Sequence, residues 1–324
     1  MKACLCMSLD KSAELEIVDL PDPEPGPNEV VVRVEACALN FFDTLIIRAK
    51  YQYKPDLPFS PSAECAGVVE SIGADVTGFQ PGDRVMAYIC WGAAREKVRV
   101  PENLLVPIPD DVSFDIAAGL SVTYGTTLHA FKDRGDLKPG ETVAVLGASG
   151  GVGQAAVEIA TIMGANVIAC ASSQEKLEFA KRLGASHTVD YSTQPLKDSL
   201  KDLTNGKGID VVYDPVGGDL AEQALRATAW EGRFLVIGFA AGEIPKIPLN
   251  LPLLKSCDIR GVFWGAAVDR DPDGHRANMR QLLDWVKDGK LKPHIHATYP
   301  LEQISDALEQ IAARKVLGKV IVHP

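Results

Sequence analysis

The stretch TVAVLGASGGVGQAAVEIATIMG (residues 142–164) decides the fold of this chain. TVAVLGA has the continuous apolar character of a buried strand, and VGQAAVEIATIMG has helical apolar spacing that ends at a glycine. Between them, ASGGVG fits the pattern G-x-G-x-x-G with alanine in the first place. A strand, a glycine-rich turn and a helix in this order are the context in which that pattern indicates dinucleotide binding.

The glycine-rich turn contains the residues predicted to hold a pyrophosphate. Gly150 has no Cβ, so the backbone could approach the pyrophosphate there, and Gly153 permits close packing of the helix on the strand. The N–H groups at the helix start and the helix dipole favour an anion. The predicted contacts are Ala148, Ser149, Gly150, Gly151, Val152 and Gly153. A tight turn that binds nothing is the alternative, and the regular elements that follow argue against it.

Strands and helices alternate after this turn. The predicted strands are NVIACAS (166–172), HTVDY (187–191), IDVVYDPVG (209–217), RFLVIGF (233–239) and CDIRGVFW (257–264). The predicted helices are QEKLEFAKRLGA (174–185), PLKDSLKDL (195–203) and LAEQALRATAW (220–230). This alternation implies an α/β domain with a doubly wound parallel sheet and right-handed crossovers, the Rossmann arrangement.

The two ends of the chain have a different texture, rich in short strands and turns. EVVVRVEACALN (29–40) is a predicted strand, and residues 65–88 are predicted to form two more around glycine and proline turns. Beyond a helix predicted at residues 279–289, the tail resembles the first third and is expected to return to it. The predicted division is residues 1–121 and 265–324 for a β-rich domain, and residues 122–264 for the Rossmann domain.

The end of the second Rossmann strand bears on the choice of cofactor. NAD-binding proteins place Asp or Glu there to hold the ribose 2′-OH. This chain has Ser172 and Ser173 instead, with Lys176 on the next helical turn. Without a carboxylate there is no repulsion of a 2′-phosphate, and a lysine adds attraction. The alternative is that Ser172 only caps the helix and Lys176 is solvated. We predict NADPH.

Composition excludes several other classes of function. Of the 324 residues, 46% are hydrophobic and 23% charged, which favours a globular protein with a large core. The net charge of −10 disfavours binding to nucleic acid or to an anionic membrane. Seven scattered cysteines without C-x-x-C spacing indicate a reducing compartment, and the N-terminus lacks the apolar run of a signal peptide. We therefore expect a cytoplasmic protein.

Three segments carry a family resemblance that covers nearly the whole chain. ASGGVGQAAVEIA, AGVVESIGADVTGFQPGDRV and ACALNFFDTLIIRAKY together resemble the zinc-independent medium-chain dehydrogenase/reductases, specifically the NADPH:quinone oxidoreductases of the zeta-crystallin-like group. The resemblance implies a GroES-like catalytic domain made from both chain ends and an inserted Rossmann domain. It also implies a homodimer in which the last Rossmann strand, about residues 259–265, pairs across a two-fold axis.

The sequence predicts that no metal is bound. Zinc-dependent relatives place Cys and then His at the first two catalytic metal positions, where this chain has Asn40 and Ala63. The stretch that carries four close cysteines in many relatives has only Cys90. His294 and His296 are a close pair, but two histidines alone make a poor zinc site.

The resemblance assigns further residues to the cofactor, one position at a time. It places Asn40 and Thr126 near the nicotinamide, Tyr191 near the 2′-phosphate, and either Arg314 or Lys319 over the phosphate. It also implies a nicotinamide and substrate wall made of Gly238, Phe239, Phe263 and Trp264. Each of these residues could instead have only a structural role, such as helix packing for Thr126 or solvent exposure for Arg314.

The predicted chemistry is reduction of a quinone or an enone. Without a metal there is no Lewis acid to polarise an alcohol, so hydride transfer to an electrophilic acceptor is the natural reaction. Some relatives carry a tyrosine where this chain has Leu45, so Tyr51 and Tyr53 join Asn40 as catalytic candidates. An enone or enoyl-thioester reductase is one alternative. A dinucleotide-binding structural protein without turnover, like the crystallins, is another, and RNA binding is disfavoured by charge.

Overall fold

The computed structural model describes residues 1–9 and 14–324, and they form two compact units. The terminal unit comprises Met1–Gly125 and Ala267–Pro324, and the central unit comprises Thr126–Ala266. These divisions fall a few residues beyond those predicted from the sequence. None of the described helices combines the length and the apolar composition needed to cross a bilayer.

The chain begins with the β-rich part of the terminal unit. Its elements are β1 (Lys2–Cys6), β2 (Leu15–Asp19), β3 (Glu29–Leu39), α1 (Phe41–Ile46), β4 (Glu64–Ile72), β5 (Arg84–Tyr88), β6 (Lys97–Pro101), β7 (Leu105–Pro107), α2 (Phe114–Ala118) and α3 (Ser121–Leu128). A π-helical turn at His129–Arg134 extends α3.

The central unit then follows as regularly alternating strands and helices. Its elements are β8 (Thr142–Leu146), α4 (Gly151–Ile162), β9 (Asn166–Ala171), α5 (Gln174–Arg182), β10 (His187–Asp190), α6 (Leu196–Leu203), β11 (Ile209–Asp214), α7 (Gly218–Ala227), β12 (Thr228–Val236), α8 (Asn250–Lys255) and β13 (Asp258–Gly261). The tail contains α9 (Trp264–Arg270), α10 (Pro272–Lys287), β14 (Ile295–Pro300), α11 (Ile304–Ala312) and β15 (Lys319–His323).

The central unit is built on a six-stranded, all-parallel sheet in the order β10-β9-β8-β11-β12-β13. Relative to chain order this is 3-2-1-4-5-6, the doubly wound Rossmann order. The residues of β8 from Val143 to Leu146 are fully buried, as expected for a strand covered on both faces. The predicted α/β fold is confirmed. Because the order reverses between β8 and β11, the crevice at the carboxyl ends of these strands is where a ligand would bind.

The terminal unit contains a seven-stranded sheet in the order β14-β15-β3-β4-β5-β7, with β6 also paired to β3. The pairs are antiparallel except for β14 with β15. The long strand β3 is buried along most of its length, so it forms the centre of the apolar core. The predicted β-rich domain is confirmed, and the terminal unit draws it from Met1–Gly125 and Ala267–Pro324. This register brings the end of β3 beside the starts of β4 and β15.

Several predicted boundaries were wrong. The strand predicted to reach Trp264 ends at Gly261, since β12 offers partners only up to Val236. The helix predicted to reach Trp230 stops at Ala227 where β12 begins. The helix predicted from residue 279 starts at Pro272, because the Asp271 side chain accepts a hydrogen bond from the Gly274 N–H at 2.9 Å and caps it.

Candidate active site

The glycine-rich turn joins β8 to α4 through unusually close backbone packing. A Cβ placed on Gly153 would lie 2.1 Å from the Gly147 carbonyl oxygen, so only glycine fits there. Gly147 itself has a φ of +60°, a conformation that favours glycine. The left-handed residue of the tight turn therefore lies one position before Ala148, which the sequence pattern had assigned to the first place. The adjacent glycine in LGASGG was the clue in the sequence.

The start of α4 is arranged to receive an anion. Gly150 is the N-cap residue, and no side chain caps the helix. A Cβ on Gly150 would have the Gly147 carbonyl oxygen, 3.7 Å away, as its nearest neighbour, so this glycine is not required by packing within the protein. Ala148 and Ser149 are buried behind the turn. An uncapped helix N-terminus beside an open glycine fits the pyrophosphate-binding geometry predicted from the sequence.

The serines and the lysine after β9 lie within one turn of one another. The Ser173 hydroxyl accepts a hydrogen bond from the Lys176 N–H at 3.5 Å and caps α5. Ser172 is solvent-exposed, and the Lys176 ammonium approaches its hydroxyl oxygen at 3.5 Å. The helix cap is thus Ser173 and not Ser172. This leaves the Ser172 hydroxyl and the Lys176 ammonium together at the edge where a ribose would lie.

The other residues that the resemblance assigned to the central unit differ in exposure. Tyr191 follows β10, donates its N–H to the Ala171 carbonyl and packs against the apolar core. Gly238 and Phe239 follow β12, at the carboxyl edge of the sheet. Phe263 is about half exposed, whereas Trp264 is buried at the start of α9. Thr126 is half-buried in α3. Their predicted cofactor contacts stay predictions.

The terminal unit contains a buried network of charged and polar side chains around Asn40. The Lys319 Nζ donates to Asn40 Oδ1 at 2.7 Å and lies 2.8 Å from Glu64 Oε1. Asn40 Nδ2 donates to the same Glu64 oxygen at 2.8 Å. The Lys319 and Glu64 side chains are 2% and 0% exposed. The amide of Asn40 therefore has a cation at its oxygen and a carboxylate at its nitrogen, which fixes its orientation.

The Lys319 side chain lies in the core, whereas the resemblance implied that it would contact the cofactor phosphate. Its ammonium is buried against Asn40 and Glu64, so the phosphate contact predicted for it finds no support in this placement. Arg314, the other candidate, is exposed in the turn after α11, with a φ of +57°. Its phosphate contact stays a prediction.

Sequence reasoning missed two acidic residues of this network. Glu64 follows Ala63 directly, and its second oxygen accepts from the Val122 N–H at 2.6 Å. Asp43 accepts from the Asn40 N–H at 2.8 Å and from the Ser62 N–H at 3.0 Å. A carboxylate beside the apolar run CAGVV was the available clue for Glu64. Nothing local to the sequence distinguishes Asp43 from a solvated acid at a helix start.

Asp43 gives the terminal unit a dependence on pH. Burial raises the pKa of Asp43 from 3.8 to about 7, against the opposing effect of its two N–H partners. The folded state therefore binds a proton that the unfolded state releases above about pH 4. Asp43 therefore contributes fully to the free energy of unfolding below about pH 4. This contribution declines by on the order of 3–4 kcal/mol as pH rises to about 7.

We expect the same decline in the free energy of unfolding of the wild type minus that of the variant Asp43→Asn. Urea titrations between pH 5 and 8 measure it, and the difference should fall as pH rises. The asparagine is isosteric and does not titrate, so other groups cancel. A difference that stays constant over this range would show that Asp43 remains ionised.

The two candidate tyrosines belong to an aromatic cluster in the terminal unit. The ring centroids are 5.2 Å apart for Phe42 and Tyr51, 5.9 Å for Tyr51 and Tyr53, and 6.2 Å for Tyr53 and Trp91. Burial raises the pKa of Tyr51 to about 12, and that of Tyr53 is raised for the same reason. Both phenols are thus neutral hydrogen-bond donors at neutral pH and weak acids.

Residues 1–9 and 14–324 contain no group of three or more His, Cys, Asp or Glu side chains placed to hold a metal ion. Asn40 stands where zinc-dependent relatives have their first metal ligand, and its side chain is hydrogen-bonded to Glu64 and Lys319.

Comparison with known proteins gives matches in both units. Residues 26–110 match the family model of the alcohol dehydrogenase GroES-like domain, and residues 151–288 match that of the zinc-binding dehydrogenases. The quinone oxidoreductase-like protein 2 homolog of Nematostella vectensis is 40% identical, covering 99% of this chain and 88% of the relative.

Solved structures agree over the full length. Pseudomonas syringae quinone oxidoreductase superposes with a TM-score of 0.93 at 35% identity, covering 100% of this chain and 99% of the other. Escherichia coli quinone oxidoreductase, solved in complex with NADPH, also gives a TM-score of 0.93, at 26% identity with 100% of both chains covered.

Proposed function

Because the chain belongs to the quinone oxidoreductase-like group of the medium-chain dehydrogenase/reductase family, we propose that it transfers hydride from NADPH to a quinone or another activated carbonyl or enone acceptor, without zinc. The observation that carries the cofactor assignment is the pair of Ser172 and Lys176 at the end of β9, where NAD-binding proteins have a carboxylate. The Escherichia coli relative solved with NADPH supports the same choice.

The residues present fit a dinucleotide. The uncapped start of α4 and Gly150 would hold the pyrophosphate, and Ser172 and Lys176 would hold the 2′-phosphate. When bound, NADPH supplies the hydride, and the protein supplies binding, orientation and exclusion of water. Asn40, which we propose to face the nicotinamide, is held by Glu64 and Lys319 so that its amide cannot rotate.

The acceptor gains a negative charge during hydride transfer and then takes up a proton. Tyr51 and Tyr53 could donate hydrogen bonds to such an acceptor, and the raised pKa of Tyr51, about 12, makes it a weak proton donor. We therefore propose that the proton comes from water and that the tyrosines orient the acceptor. The absence of zinc is proposed because Asn40 and Ala63 stand at the first two metal positions of zinc-dependent relatives.

Loss of nicotinamide absorbance during incubation of the purified protein with NADPH and a small quinone tests this proposal. We expect quinone-dependent oxidation that persists after exhaustive dialysis against a chelator. Binding of NADPH without turnover across a panel of quinones and enones would overturn the enzymatic function. Loss of activity on chelation, restored by zinc, would overturn the zinc-free mechanism.

We also propose a homodimer that forms through the edge strand β13. Ile259 on this strand is 41% exposed, and Leu249, Leu253 and Leu254 in and before α8 are 80%, 78% and 70% exposed. An uncovered strand edge beside exposed leucines is a surface that a second copy would bury. Free thiols at all seven cysteines suit the proposed cytoplasmic location.

Ile259→Lys is expected to convert this dimer to a monomer, because each interface would bury two unpaired charges. Sedimentation velocity measures the change. Ile17→Lys is the matched control, since Ile17 on β2 is 37% exposed and lies in the terminal unit. A wild-type protein that sediments as a monomer, or an Ile259→Lys variant that stays dimeric, would contradict the assignment of the interface.

A further inference from the structure

The terminal unit contains a cavity of about 690 Å³ beside β6 that no step of the proposed reaction uses. Its volume lies within the range of small-molecule sites, roughly 300–1,000 Å³. Apolar side chains supply much of its wall, among them Phe59, Trp91 and Leu104. Phe59 is buried, and Trp91 also packs against the ring of Tyr53. A flat or aliphatic body of modest size would fit such a wall.

Three basic side chains line this cavity, and they differ in their partners. The Lys97 ammonium is paired with Asp22 and Glu70, and the Arg99 guanidinium with Glu29. Within residues 1–9 and 14–324, by contrast, no side chain forms a hydrogen bond or an ion pair with the guanidinium of Arg95. Its Nε atom is buried without an acceptor. Arg95 is therefore the cation at this cavity whose charge the described residues leave uncompensated.

A partly buried guanidinium that has no partner among the described residues is unfavourable. Burial lowers the pKa of Arg95, which is the direction expected when a charged form loses water without gaining a counter-ion. A carboxylate meets this need well, since it can accept two parallel hydrogen bonds from a guanidinium. A bound carboxylate would thus give the guanidinium of Arg95 the partner that the described residues do not supply.

Two acidic residues of the wall limit the charge of the ligand. Asp56 and Asp269 also line the cavity, and both are solvent-exposed. Among the described residues neither forms an ion pair with Arg95, so they do not neutralise it. They would, however, repel a second negative charge on a ligand. A single carboxylate on an apolar body matches this combination of one partly buried cation, an apolar wall and two exposed acids.

We propose that this cavity binds a small monocarboxylate with an aromatic or aliphatic body, and that Arg95 is its counter-ion. None of the residues proposed to bind the dinucleotide lines this cavity. Binding can therefore be measured on the protein without nucleotide and without turnover. Failure of this proposal would leave the proposed oxidoreductase function untouched.

Titration calorimetry with benzoate, and with benzamide as the neutral isostere, tests the proposal on the wild type. We expect benzoate to bind with a Kd below about 1 mM. Benzamide should bind at least about 10-fold more weakly, because it lacks the charge that Arg95 requires. Phthalate, with two carboxylates, and inorganic phosphate, with no apolar body, should also bind more weakly than benzoate. Equal binding of benzamide, or benzoate uptake only at tens of millimolar, would overturn the proposal.

Two arginine variants locate the site. Arg95→Met should weaken benzoate binding at least about 10-fold, whereas Arg99→Met should change it less than about threefold, because Arg99 is already paired with Glu29. Benzoate affinity unaltered in Arg95→Met would overturn the assignment of the counter-ion. If Arg95→Met does not fold, Arg95→Lys is the second variant, because it keeps the charge but cannot form the bidentate pair of hydrogen bonds. Weaker binding of benzoate is again expected.

Discussion

Replacing Lys319 with methionine is expected to lower the free energy of unfolding by about 3–5 kcal/mol, because the carboxylate of Glu64 would remain buried without its cation. The loss should exceed that of an ordinary surface ion pair several-fold, since both side chains are almost fully excluded from water. Urea denaturation of the two proteins at pH 7 measures it.

The double variant Glu64→Gln with Lys319→Met separates charge burial from packing. It removes both charges, so we expect it to be more stable than Lys319→Met alone. Lys315→Met is the matched control, because Lys315 is exposed in the turn after α11. A Lys319→Met variant within about 1 kcal/mol of the wild type would mean that Glu64 is stabilised by its N–H and amide partners without the lysine.

The same substitution also tests the proposed role of Asn40. With the ammonium gone, the Asn40 oxygen loses the donor that lies 2.7 Å away. We expect kcat for quinone reduction to fall while the Kd for NADPH changes little, if the network orients Asn40 and Lys319 contacts no phosphate. A large rise in the Kd for NADPH at unchanged kcat would instead restore the phosphate contact that the resemblance implied.

Replacing Lys176 with alanine is expected to weaken NADPH binding by about 10- to 100-fold and to leave NADH binding unchanged. In the proposed complex the lysine would donate a charge-assisted hydrogen bond to the 2′-phosphate, worth about 1.5–3 kcal/mol, and NADH has no such group. Calorimetric titration of each dinucleotide measures the effect. Lys181→Ala on the same helix is the control, since the Lys181 ammonium is paired with Glu178 at 2.8 Å.

The reciprocal change restores the carboxylate that this chain lacks. Ser172→Asp is expected to reverse the preference, because the new charge would repel a 2′-phosphate and accept hydrogen bonds from a ribose 2′-OH. Wild-type protein that binds NADH as tightly as NADPH would remove the basis of the cofactor assignment. A Ser172→Asp variant that keeps its preference would indicate that the 2′-phosphate lies elsewhere.

Local sequence was sufficient to predict the central unit. The apolar run of β8, the glycines after it and the alternation of strands with helices are each encoded within a few consecutive residues, so the parallel sheet and the nucleotide-binding edge could be predicted. Ser172, Ser173 and Lys176 are also neighbours in sequence, and α5 brings them within one turn. Errors arose at element ends, such as Gly261 and Pro272, where pairing with β12 and a side-chain cap decide the boundary.

The network around Asn40 was decided by tertiary structure alone. Lys319 is 279 positions from Asn40 and 255 from Glu64 along the chain, and nothing local to any of them specifies the others. The register of β15 on β3 and of β3 on β4 brings them together inside the terminal unit. Because burial removes water as a competing partner, these three side chains must satisfy one another. Lys319, for which the family resemblance implied a phosphate contact, is thus part of the core.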